Sequence, residues 1–200
     1  LLLLVLTALA GCGGDDGAEA ADPGPAPQAS ESPSESPFPS VTEAAAEDDE
    51  GAEGDLEERF PMPRRPKAAD TPGARKAFAE FVVDRWGYAL VTNEAEAVTG
   101  LSPRGSTCKG CKDLSKELDK RREEGWNVDF PGAKVKKVTV QPAGPPRTFD
   151  AVATIDIPES RSYFDDGTFR NDNKAFRNAE FAVQMRWAGG RYLLLSFTVD

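Results

Sequence analysis

Hydrophobic positions recur with two different periods in the last 130 residues of this chain, and with no regular period before them. Thr71-Pro72 has the signature of a helix start: a hydroxyl that can cap the first turn, then proline where its fixed φ is already helical. Ala74, Phe78, Phe81, Val82, Trp86, Ala89 and Leu90 follow at helical spacing and predict one long amphipathic helix. Asn93 is placed to cap a second, short helix through Val98, ending at Gly100. Leu101 to Thr107 reads as a loop. A third helix starts near Cys108, carries Leu114 and Leu118 inward and stops at Gly125.

Beyond Gly125 the period becomes two. Val138 and Val140 share one face of a first strand. Ala151, Ala153, Ile155 and Ile157 alternate with Val152, Thr154 and Asp156 in a second, which Pro158 closes. Phe181, Val183, Met185 and Trp187 alternate with Ala182, Gln184 and Arg186 in a third. Gly189-Gly190 supplies the positive φ of a tight hairpin, and Tyr192 to Val199 forms a fourth strand. That strand is almost continuously apolar, which predicts a central position covered on both faces. Glu159 to Lys174 is polar and reads as a loop. Helices followed by strands predict an α+β fold. In it, N-terminal helices pack on a curved, mostly antiparallel four-stranded sheet, cone-like, with a mouth that can admit a ligand.

Residues 13–70 have a different composition. Pro23-Gly24-Pro25-Ala26-Pro27 is followed by a Ser-Glu-Pro stretch and then an acidic tract, with Phe38 and Phe60 as the only aromatic residues. Such a segment cannot bury enough apolar surface to offset its ordering entropy, so it is predicted to be a disordered linker. It holds 16 acids and 4 bases, whereas residues 71–200 hold 18 acids and 20 bases. The net charge of −10 therefore belongs to the linker, and the folded part is nearly neutral. Nothing in this distribution resembles the clustered basic face of a nucleic-acid binder.

The first residues are apolar from Leu1 to Ala10 and end in Leu9-Ala10-Gly11-Cys12. The run is too short to span a bilayer, which takes ~20 residues. A leucine, two small residues and a cysteine form the pattern of a bacterial lipoprotein signal. Cys12 is then the lipidation site, the anchor to a membrane and the first residue of the mature protein. This reading makes residues 1–12 a truncated signal peptide. It places residues 71–200 on the extracytoplasmic face of the cell membrane, behind the linker.

Three cysteines and no histidine are present. With Cys12 assigned to lipid, Cys108 and Cys111 remain as an even pair, expected to be oxidised outside the cytoplasm. Cys108-Lys109-Gly110-Cys111 admits two readings. At a helix N-terminus it could be a thiol–disulfide site, since the helix dipole favours a thiolate there. The preferred reading is a short staple pinning the loop to the third helix, because no βαβ pattern surrounds it. Structural zinc prefers four Cys or His ligands, and no metal or cofactor is predicted.

Gly73-Ala74, Phe78, Phe81, Tyr88-Ala89, Thr92 through Leu101-Ser102 and Cys108-x-x-Cys111 resemble an uncharacterised family of actinobacterial lipoproteins. The lipobox and acidic, proline-rich spacer belong to the resemblance, which covers most of Thr71 to Trp126. Asn93-Glu94 stands where that family has Gly-Asp. The element order is also similar to the nuclear-transport-factor-two-like cone, which includes SnoaL-like cyclases and ketosteroid isomerases. A cone enzyme would use a buried acid with a raised pKa as its base, and Asp84, Asp150 and Asp156 are the acids nearest apolar surroundings. Asp84 is expected to be exposed and paired. Without histidine no nucleophile–base–orienter set can be assembled. The Asp165-Asp166-Gly167 and Asn171-Asp172-Asn173 stretches are oxygen-rich but lack EF-hand spacing. Trp86, Tyr88, Trp126, Trp187 and Tyr192 are candidates to line a pocket, or else core. The sequence points to a non-catalytic domain that binds a small apolar ligand or an envelope protein, with a cone-fold isomerase, hydratase or cyclase and a redox module as alternatives. It does not fix the oligomeric state.

Overall fold

In a computed structural model, residues 60–200 are described. The lipobox, Cys12 and most of the acidic linker lie outside them.

Helix α1 runs Pro72–Thr92 and begins as its sequence dictates. The Thr71 hydroxyl accepts the Ala74 N–H at 3.2 Å, and Pro72 opens the first turn. Phe78, Phe81, Val82 and Ala89 are buried as the periodicity requires. Val83, Gly87, Tyr88 and Val91 are buried too, beyond that face. Phe130 accounts for part of this second cover: a Cβ on Gly87 would touch its ring at 3.4 Å.

Asn93 does not cap the second helix. It ends the first, in the left-handed region at φ 56°, and its side-chain amide donates to the Trp126 carbonyl at 3.0 Å. An asparagine tolerates that conformation and binds the orphaned backbone nearby, so it serves the preceding helix. Helix α2 is one turn, Glu96–Thr99, with no side-chain cap. Helix α3, Lys109–Glu123, is capped by Cys108, whose Sγ accepts the Cys111 N–H at 3.2 Å. Gly125 follows its end at φ 64°.

Seven antiparallel strands follow: β1 (Trp126–Asp129), β2 (Lys134–Pro142), β3 (Thr148–Ile157), β4 (Ser160–Phe164), β5 (Phe169–Asn173), β6 (Phe176–Ala188) and β7 (Arg191–Val199). Strands β2-β3-β6-β7 form the expected four-stranded sheet, and β1-β4-β5 form a smaller one. The architecture is α+β, with helices packed on antiparallel sheets. Ala153 faces Phe181 across β3 and β6, and Val183 faces Phe197 across β6 and β7. Phe149, Ala151, Ala153 and Ile155 of β3 join Phe181, Val183 and Met185 of β6 in the core under the helices.

Two strand expectations are corrected. Residues 159–174 are not a loop: β4 and β5 form a paired hairpin, with Ser160 opposite Asn173 and Tyr163 opposite Phe169. Apolar alternation cannot reveal it, since the side chains that hold it are polar. Asn173 donates to the Ser162 hydroxyl at 3.0 Å, and Asn171 donates to Asn173 at 3.0 Å. Strand β7 is not central but at the sheet edge. Its unbroken apolar run has two causes. The register shifts between Gln184 and Met185, so Leu194 and Phe197 both point inward three residues apart. Helix α3 also packs along the strand, and Leu194 donates its N–H to the Leu101 carbonyl at 3.0 Å.

Candidate functional site

The space between α1 and the large sheet is filled by the chain's own side chains. Trp86 meets Phe181 edge-on with ring centroids 5.6 Å apart, and Phe181 stacks on Phe197 at 5.5 Å. Phe78 lies 5.5 Å from Tyr192, which meets Phe149 at 6.4 Å. Phe181, Ile155, Met185 and Leu194 have no exposed surface.

The five aromatic residues considered for a pocket are placed as follows. Trp187 and Tyr192 meet at 4.8 Å across the β6–β7 ladder. Trp86 lines a surface groove with Leu90, Gly110 and Phe197. Tyr88 lines another, beside Val91 and Phe130. Trp126 is sandwiched between guanidinium groups, Arg121 at 4.7 Å and Arg170 at 3.9 Å, and its indole N–H donates to Glu124. It pins the β4–β5 hairpin to the end of α3, a cation–π contact that sequence spacing could not disclose.

The three candidate acids lie in three different settings. Asp156 is buried at a bulge of β3, but Lys136 at 2.8 Å, the Asn178 N–H at 3.0 Å and Arg177 at 3.2 Å all meet it. The Lys136 contact, the Asn178 amide and Arg177 hold its carboxyl down to about 2. It is an ionised anchor between β2, β3 and β6, unsuited to take up a proton near neutrality. Asp150 accepts a hydrogen bond from Gln184 at 3.1 Å. Asp84 is exposed on α1 as expected, but no ion pair reaches it from a described residue. Its carboxyl is lifted above the ordinary value, first by desolvation and then by Glu80 one turn earlier.

Asp84 stands at the rim of an apolar groove of about 250 Å³. Val83, Tyr88 and Val91 of α1 form one wall, and Phe130 and Pro131 the other. Phe60, Pro61 and Pro63 complete it. These last residues read as linker, yet they lie against the folded part, and so do those after them. Arg65 sits over the Phe78 ring at 5.7 Å. Asp70 accepts hydrogen bonds from Arg75 at 2.8 Å and from the Tyr192 hydroxyl at 3.3 Å. Arg75 in turn lies over the Phe149 ring at 3.8 Å. Residues 60–70 thus form a strap on the domain, and the only sequence signals for it are Phe60 and an acid just before a helix cap.

Cys108 and Cys111 are joined by a disulfide, and both are buried. The Ser102 hydroxyl lies 3.4 Å from the Cys111 sulfur. A buried disulfide between a loop and a helix start acts as a staple. Attack by an external thiolate requires access, and with Cys108 1% and Cys111 5% exposed little sulfur is presented even where the pair borders a groove.

Many solved structures are similar to the chain. Aln2 from a Streptomyces species is 9% identical, over 65% of this chain and 91% of that one, with a TM-score of 0.42. The beta subunit of the benzoate 1,2-dioxygenase from Burkholderia mallei is 9% identical, over 62% and 87%, with a TM-score of 0.42. A protein of unknown function with a cystatin-like fold from Nostoc punctiforme is 11% identical, over 64% and 91%, with a TM-score of 0.38. At that distance the likeness says nothing of ligand or chemistry. No family model and no curated protein matches the chain.

Proposed function

We propose that the chain is a lipid-anchored protein of the extracytoplasmic membrane face whose folded part binds a ligand or partner without catalysing a reaction. The anchor rests on Leu9-Ala10-Gly11-Cys12 and on the acidic, proline-rich segment behind it. The likeness of residues 71–126 to actinobacterial lipoproteins points the same way. The binding role rests on one observation. The interior is closed by packed aromatic side chains, while an apolar groove with Asp84 as its one carboxylate lies open beside α1. Apolar walls with one carboxylate at the rim suit a small apolar ligand, or an apolar side chain of an envelope protein. A proton-transfer catalyst needs an interior acid with a raised pKa, and Asp156 has the opposite shift.

Titration of the full chain with an apolar fluorescent dye tests the groove. Binding at one site, lost when Ala133→Trp fills the groove, supports the reading; a variant that binds the dye as the wild type does overturns it. The anchor is tested separately. Cys12→Ser should move the protein from the membrane to the soluble fraction, and a variant that stays with the membrane removes that half.

A further inference from the structure

Helix α3 neutralises most of its own basic side chains. Lys109 pairs with Asp113, Arg121 with Glu117, Arg122 with Asp119 and Lys120 with Glu124. Lys112 and Lys116 are the exceptions, making no ion pair or hydrogen bond with a described residue, although Lys116 adds a weaker pull on the Asp113 carboxylate that Lys109 holds. They are four residues apart on one face, where like charges repel and weaken the helix. Both line a surface groove of about 760 Å³ whose far wall is the loop after α2.

That loop presents a third unpaired cation. The Ser106 N–H donates to the Pro103 carbonyl at 3.1 Å and Gly105 takes φ 72°, so Arg104 occupies the first corner of a tight turn. Arg104 is exposed, lines the same groove and has no described partner. Ser102 and Ser106 add hydroxyls to the wall, and Glu96 is its only acid among the described residues. The Cys108–Cys111 disulfide also lines the groove and joins the end of the Arg104 loop to the start of α3.

We propose that this groove binds a phosphate group, carried either by a soluble ester or by a lipid headgroup. Phosphate offers enough oxygens to engage three cations at once, where a carboxylate offers two. The arginine fork supplies paired donors, the lysines supply charge, and the serine hydroxyls fill the remaining positions. The site shares no residue with the apolar groove beside α1, so the fate of either leaves the other standing.

The test has two arms. In the first, the full chain is titrated with pyrophosphate while NMR signals are followed. In the second, the full chain carrying Cys12→Ser, so that no acyl chain contributes, is sedimented with phosphatidylglycerol or phosphatidylcholine vesicles. Pyrophosphate should shift the signals of Arg104, Lys112 and Lys116. The double variant Lys112→Gln, Lys116→Gln should weaken binding roughly tenfold or more, and the weakening should shrink as salt rises. Lys109→Gln, whose native partner is Asp113, should bind as the wild type does. A pyrophosphate response assigns the groove to soluble phosphate esters. Selective binding to phosphatidylglycerol, lost in the double variant and without a pyrophosphate response, assigns it to headgroups. Absence of both kinds of binding overturns the proposal, as does a double variant that binds no more weakly than Lys109→Gln.

Discussion

A Cβ built on Gly110 would stand 2.1 Å from the carbonyl oxygen of Phe197. No side chain fits between helix α3 and strand β7 at that point, and the obstacle is main chain, which cannot rotate away. Glycine in Cys108-Lys109-Gly110-Cys111 is therefore a packing requirement. Gly110→Ala must push the helix off the sheet edge, at a cost of about 3 kcal/mol. Urea unfolding of the variant against wild type measures this; an unchanged midpoint would show that the close approach is not kept in solution.

The disulfide beside it should behave as a staple. Replacing both Cys108 and Cys111 by alanine should cost about 2 kcal/mol in equilibrium unfolding, the modest amount a short closed loop allows. With both sulfurs buried, its reduction potential should lie below about −300 mV. A markedly higher potential, together with rapid reduction of the folded protein, would restore the redox alternative.

Asp156 should give the fold an acid-sensitive component. Its carboxyl is held at about 2, down from an ordinary 3.8. A depressed carboxylate stabilises the fold above its unfolded value, and that stability drains away as pH falls through the interval down to the folded value. Asp156→Asn should be less stable than wild type at neutral pH, and the two should converge as pH drops from about 4 to about 2. Parallel curves across that window would mean that the contacts with Lys136 and Arg177 contribute nothing.

Asn93 combines a left-handed backbone with a buried hydrogen bond to the Trp126 carbonyl. Asn93→Gly keeps the first and loses the second, costing about 1 kcal/mol. Asn93→Ala loses both and should cost about 2 kcal/mol. Equal losses for the two variants, read from thermal or urea melts, would show that the backbone conformation carries no penalty.

The strap sets where the folded unit begins. A chain starting at Thr71 lacks Asp70, Arg65 and the Phe60–Pro63 wall, and should melt below one starting at Phe60. Asp70→Ala in the longer chain should reproduce part of that loss. If both versions melt together, the strap is a passenger.

How much of this was legible depended on what each segment buries. Helix α1 was readable because Thr71-Pro72 marks its start and its apolar face has one target. Strands β3 and β6 alternate cleanly since one face of each meets the core. The Gly189-Gly190 turn takes the positive φ it suggests, 58° and 74°. The β4–β5 hairpin left no such trace, because amide and hydroxyl side chains hold it and its Arg170 reaches Trp126 from 44 residues along the chain. Strand β7 misled through its bulge, which turns an edge strand into a continuous apolar run. Asp156 looked like a candidate base from its isoleucine neighbours; Lys136 and Arg177, twenty and twenty-one residues away, decide its charge. The strap was hidden by composition, since a segment dominated by proline and charge carries few apolar positions even where it is seated.

Traction on the leading end of the chain would not reach helix α1 directly. It would first pull away the groove wall formed by Phe60, Pro61 and Pro63 and then load the Asp70 contacts with Arg75 and Tyr192. Only after those ruptured would the first helical turn bear strain, so the strap works as a sacrificial coupling that spares the core.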